Sequence, residues 1–171
     1  MSSPAQANTD QGSDFLRYLE TASLPLLLDG AMGTMLNARG IGFEACFDAL
    51  NVNRPELVAE IHRAYIEAGA QIILTNTFGA NRYKLAEHGL EDKVVEINRA
   101  GVELARRVVL ASFKEVLVAG DAGPLGVRLA PFGRVQPEQA RQAFKQQISV
   151  LAAAGADLIV IETISDLYEM C

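Results

Sequence analysis

Four short runs of leucine, isoleucine and valine recur along this chain, and each ends in polar side chains. They are "LPLLLDG" (24–30), "AQIILTNTF" (70–78), "EVLVAGDAG" (115–123) and "ADLIVIET" (156–163). Near-continuous apolar runs of this length suit strands covered on both faces. The longer stretches between them have helical period, and alternation of the two is the pattern of βα units around a parallel sheet. The phrases "EAGAQIIL" and "AAGADLIV" repeat one plan, a helix end, a Gly-Ala turn and a buried strand. That repetition fits a (β/α) barrel and a doubly wound sheet alike. In both, ligands bind at the C-terminal ends of the strands. The polarity of each run lies at that end: Asp29, then Thr75, Asn76 and Thr77, then Asp121, then Glu162 and Thr163.

The helices between the runs carry their own punctuation. In "NRPELVAEIHRAYIEAGA", Asn53 is the expected N-cap, with Pro55 in the first turn and Glu56 three residues on. Leu57, Ile61, Tyr65 and Ala68 form the expected apolar face, and Gly69 the stop. In "QPEQARQAFKQQISVLAAAGAD", Pro137 opens a helix, Ala140, Phe144, Ile148 and Leu151 make its stripe, and Gly155 ends it. Between them "NRYKLAEHGLEDKVVEINRAGVELARRVV" reads as a short helix, a break at Gly89 and a long helix. After the fourth run, Ser165 and Asp166 open a helix that has no length, so the chain is expected to stop within a unit.

Composition narrows the class. With 171 residues, half of them hydrophobic and 21% charged, the chain is long enough for one domain with a real core. A net charge of -6 with scattered lysines and arginines gives no footprint for nucleic acid and no polybasic membrane patch. No apolar run approaches the roughly 18 residues of a spanning helix. The opening "MSSPAQANTDQGSD" has neither a basic nor an apolar signal region and reads as a disordered tail over 1–14. Two cysteines far apart, Cys46 and Cys171, make no disulfide framework, and a cytoplasmic chain is expected.

Asp29 raises the functional question, since three leucines run straight into it and Gly30 and Gly33 follow. An aspartate there can start a turn or cap a helix, or the loop can be the floor of a ligand site. Asp121, in "GDAGPLG", reads as turn chemistry. Cys46 reads as a small buried hydrophobe. No lysine closes a run, which speaks against Schiff-base chemistry of an aldolase type.

The blocks "LLLDGAMGTML", "NVNRPELVAEIHRAYIEAGAQIILTNTFGANRYKL", "VAGDAGPLG" and "IVIETISDL" closely resemble the homocysteine S-methyltransferase family, from about Leu24 to the last residues. The resemblance implies a (β/α)8 TIM barrel, of which this chain covers about the first four βα units (15–171). It implies methyl transfer to the thiolate of L-homocysteine to give methionine, from a sulfonium, ammonium or folate-type donor. Asp29 and Glu162 would receive the substrate amino group, Gly30 would let the backbone come close, and Asn76 and Thr163 would line the same pocket. An ammonium in a water-poor pocket needs compensating charge and acceptors, which two carboxylates supply.

The resemblance also implies zinc, held by three cysteines in blocks that do not occur in this sequence. Neither Cys46 nor Cys171 falls in such a block, and His62 and His88 lie on expected helices as packed or solvated side chains. The expectation is therefore a chain carrying the amino-group half of the site and no metal ligand. Four strands of a barrel would leave open edges, with Leu26, Leu28, Ile73, Val118 and Ile161 short of cover, so the chain is expected either to fold poorly or to self-associate, pairing with a second half barrel. The competing reading is a non-catalytic half barrel that binds an amino acid or assembles with a partner.

Overall fold

The computed structural model describes residues 15–16, 19–21 and 25–170. The expected tail (1–14) and Cys171 lie outside the described residues. From Met32 onward the order is α1 (Met32–Asn37), α2 (Leu50–Asn53), α3 (Pro55–Ala68), β1 (Ile72–Leu74), α4 (Arg82–Ala86), a 3-10 turn (Glu91–Lys93), α5 (Val94–Ser112), β2 (Leu117–Ala122), α6 (Pro137–Ala153), β3 (Leu158–Ile161) and α7 (Leu167–Met170). The strands form one parallel sheet in the order β1-β2-β3, with Ile73 opposite Val118 and Asp121 opposite Val160. The class is α/β, as the alternating runs require.

The first apolar run departs from expectation. It lies parallel to β1 but forms a single bridge, Leu28 to Ile72, rather than a ladder strand. Leu27 O accepts from the amides of Gln71 and Ile72, and Asp29 N–H donates to Ile72 O. Side chains take the amides that would extend this pairing: Leu27 N–H donates to Gln71 Oε1 and Leu74 N–H to the Asp29 carboxylate. Leu28 is 41% exposed and Ile161, at the other side of the sheet, 49%, whereas Ile73 and Val118 between them are fully buried. The expected loss of cover thus falls on the flanks, not at the centre.

Helix boundaries follow backbone chemistry. Asn53 is not the N-cap of α3; it ends α2, and Arg54 stands at the cap with Pro55 at the first position. Gly69 ends α3 at φ 107°, a conformation that costs glycine little. Gln136 and Gln139 close a reciprocal capping box on α6, and Gly155 follows its C-cap at φ 98°. The buried face of α3 is rotated from the expected one: Val58, Ile61, His62 and Ile66 are inside, while Ala68 is exposed. Helices α1, α3 and α5 enclose Ile73 and Val118 with Leu36, Ile61, Ile66, Leu104 and Val108. This core fixes the sheet, and the sheet's C-terminal ends carry the polar residues.

Candidate functional site

Three elements bring those ends together. Asp29 leaves the first apolar run, and both its carboxylate oxygens accept from Leu74 N–H at 3.1 Å, tying the loop to the end of β1. Past β1 the chain turns on itself, with Thr77 N–H donating to Thr75 O. The Thr75 and Thr77 hydroxyls meet at 2.6 Å, Thr77 Oγ1 donates to Asp121 O at 2.8 Å, and Asp121 N–H donates to Thr75 Oγ1 at 3.1 Å. These bonds lock the ends of β1 and β2. Beyond β3, Glu162 N–H donates to Ala122 O. Asp29, Asn76, Asp121 and Glu162 all line one cavity of about 560 Å³.

The cavity floor is the glycine loop after Asp29. A Cβ at Gly30 would stand 2.9 Å from the hydroxyl of Tyr65, which donates to Ala31 O, so the backbone approaches this ring as only glycine allows. Asn76 is buried, and its amide hydrogens are committed to Phe47 O at 2.7 Å and Asn51 Oδ1 at 3.1 Å. Its side-chain oxygen is the atom it can offer a ligand. Thr163 is exposed, takes φ 59° and does not line the cavity, so the structure separates it from the other four expected site residues.

Two carboxylates of the cavity escape a reading of the sequence as site residues. Asp121 is not in a turn; it sits inside β2 and is buried. The glycines around it suggested a loop, but its amide and carbonyl are held by the two threonines. Its place at the end of the third run, like that of Asp29 in the first, was the available signal. Asp48, ahead of α2, has no local signal. Only the fold brings it to Gly79 N–H, which donates to it at 2.8 Å, and near Lys84 and His88 at the same cavity.

Burial dominates the electrostatics. The Asp29 carboxyl is pushed up to about 7 by desolvation, opposed by the Leu74 amide and reinforced by Glu162. Asp121 is pushed up to about 8 by burial first and then by Glu162, Asp48 and Asp29. Asp48 rises to about 6 through burial, against Gly79 N–H, Lys84 and His88. A buried cationic ligand reverses this logic, because it stabilises the ionised carboxylates that burial penalises.

The donors suit an ammonium better than a zinc ion that binds sulfur. No group of three or more His, Cys, Asp or Glu able to hold a metal occurs among the described residues. Cys46 is half-buried, and burial pushes its thiol up, away from the thiolate that zinc prefers. His62 is sealed in the core, and neither ring nitrogen has a partner. The described residues do not fit a zinc centre.

A family model described as homocysteine S-methyltransferase matches residues 26–171. Homocysteine S-methyltransferase of Escherichia coli is 36% identical over 160 residues, covering 85% of this chain and 52% of that protein. Methionine synthase of Mycobacterium tuberculosis is 36% identical over 151 residues, covering 83% of this chain and 13% of that protein. Among solved structures, the oxidised form of the homocysteine methyltransferase MmuM from Escherichia coli superposes with a TM-score of 0.78 at 33% identity, over 91% of this chain and 58% of the other. The metallated form of the same enzyme gives 0.77 at 32% identity, over 90% and 58%. The chain thus spans about half the length of one curated relative and about an eighth of the other.

Proposed function

The chain belongs to the homocysteine S-methyltransferase family, and on that premise we propose that its cavity binds L-homocysteine for methylation at sulfur to methionine. Asp29 and Glu162 take the α-ammonium, the loop at Gly30 brings backbone close to the ligand, and Asn76 offers its side-chain oxygen. Thr163, outside the cavity lining, would contribute only if the segment after Glu162 turned inward. In the reaction the homocysteine sulfur gives up its proton and forms a bond to the methyl carbon, while the donor's bond to that methyl breaks. The donor is of the sulfonium, ammonium or folate type, and the setting is the cytoplasm. The described residues supply anchoring and orientation. Holding the amine at two carboxylates aims the sulfur along the ligand chain, and such positioning is a substantial part of a methyl-transfer barrier. A (β/α)8 barrel completed by further βα units accords with the parallel sheet and with the MmuM likeness. In such a protein zinc would be held outside the residues described.

The observation that carries this reading is the convergence of Asp29, Asp121 and Glu162 on one cavity, with room for an amino acid and more. Calorimetry with L-homocysteine tests it. Saturable binding is expected, weakened at least about ten-fold by Asp29→Ala or Glu162→Ala, as loss of a charge-assisted hydrogen bond requires. Absence of binding, or variants that bind like the parent, refutes it. The half-exposed Leu27, Leu28 and Ile161 favour a second reading, a non-catalytic module that self-associates through its edges. Sedimentation showing a monomer across concentrations would remove that alternative.

A further inference from the structure

Asp121 closes β2 on the cavity and is only 5% exposed, and its Oδ1 is buried without a hydrogen-bond partner. An ionised oxygen in that position is costly, because nothing replaces its hydration. The charged groups that bear on it are themselves carboxylates: Glu162 beyond β3, Asp48 ahead of α2 and Asp29 beyond the first apolar run. The basic side chains of the cavity, Lys84 and His88, bear on Asp48 instead. Asp121 stands opposite Val160 in the ladder, and alternation along β3 returns Glu162, two residues on, to the same face.

We propose that Asp121 is a positioning residue, a neutral acid in the ligand-free protein that donates a hydrogen bond to Glu162 and so aims that carboxylate at the substrate amine. The choice of ligand rests on the homocysteine reading; the shared proton does not. Charge counting favours it. One ammonium brings a single positive charge, and Asp29 with Glu162 already exceeds it. A third ionised carboxylate would add repulsion, whereas a neutral Asp121 removes a charge and supplies a donor. The elevation of Asp121 to about 8, by burial first and then by the Glu162, Asp48 and Asp29 carboxylates, agrees with this arrangement. Keeping a carboxylic acid neutral near pH 7 so that it can donate is an established use of burial.

Two measurements on the intact chain test it, with Asp121→Asn and Asp121→Ala as variants. In infrared difference spectra of the ligand-free protein between about pH 7 and about pH 10, the parent should show a neutral-carboxyl C=O band that Asp121→Asn removes. If that substitution leaves the neutral-carboxyl bands unchanged, the inference is overturned, whatever the protein binds. In calorimetry with L-homocysteine, Asp121→Asn, which still offers an N–H to Glu162, should restore affinity to within about three-fold. Asp121→Ala should lose about ten-fold, the worth of one such hydrogen bond. Equal losses in both variants overturn the positioning role. A parent protein with the Asp121 band but no affinity for homocysteine would refute the substrate and leave the proton-sharing pair standing, so the two failures are distinguishable.

Discussion

Binding of an ammonium between Asp29 and Glu162 should expel a proton, and the amount depends on pH in a defined way. In the ligand-free cavity the Asp29 carboxyl titrates at about 7 because burial penalises its charge. Beside an ammonium it must ionise. From that midpoint, binding should release about 0.9 proton at about pH 6, about 0.5 at about pH 7 and about 0.1 at about pH 8. The sign follows from the elevated carboxyl: affinity is highest above its midpoint and lost as pH falls through it. Apparent affinity should therefore rise about ten-fold between about pH 6 and about pH 8. Titration calorimetry in two buffers of different ionisation enthalpy reads the released protons directly. Asp29→Asn should abolish both the release and the pH dependence, and lower affinity by about ten- to a hundred-fold. Binding with no proton release across this range would refute the placement of the amine at Asp29.

Two stability predictions rest on packing around the site. His62 is wholly buried with both ring nitrogens unpartnered, and burial alone lowers it to about 4. Below the unfolded value of about 6.5 the unfolded chain gains a proton that the folded chain refuses, so this side chain costs about 2 kcal/mol near pH 5. His62→Leu should stabilise the protein by about 1 kcal/mol at about pH 8, with the advantage widening by about 2 kcal/mol near pH 5. Asp29, Asp48 and Asp121 act in the opposite sense, being raised in the fold, so the difference between parent and variant isolates the histidine. Urea curves that stay parallel for the two proteins over this range would contradict the prediction. Gly101→Ala sets helix propensity, a gain of about 1 kcal/mol, against overlap. Its Cβ would lie 2.7 Å from Thr77 Cγ2 and 2.8 Å from Asn51 Nδ2, both held by buried hydrogen bonds. Overlap should win, with a net loss of about 1–2 kcal/mol in chemical denaturation; a more stable variant would show that these neighbours yield.

Much of this architecture is legible in the chain because its signals are local. The "IIL" and "LIVI" runs become β1 and β3, Pro137 and Gly155 bracket α6, and the Gly89 break separates α4 from α5. What misleads are residues whose fate is decided across the fold. "LLLDG" has strand chemistry but pairs through one bridge, because the Asp29 carboxylate takes the Leu74 amide and the Gln71 side chain takes the Leu27 amide. Asp121 has turn neighbours, yet Thr75 and Thr77 hold its backbone in a strand. Asp48 enters the cavity through Gly79, 31 residues away, a contact that no spacing rule anticipates. That Asp29 and Glu162 line the cavity is legible because each ends an apolar run, where a carboxylate is costly without a partner.

The central claim is that this cavity recognises an amine through two carboxylates. The direct measurement compares L-homocysteine with 4-mercaptobutyrate, the same thiol and carboxylate lacking the amino group, by calorimetry near pH 8. Loss of two charge-assisted hydrogen bonds, about 1.5–3 kcal/mol each, predicts binding at least about a hundred-fold weaker for the analogue. Binding of the two within about three-fold of each other would show that Asp29 and Glu162 do not hold the amine.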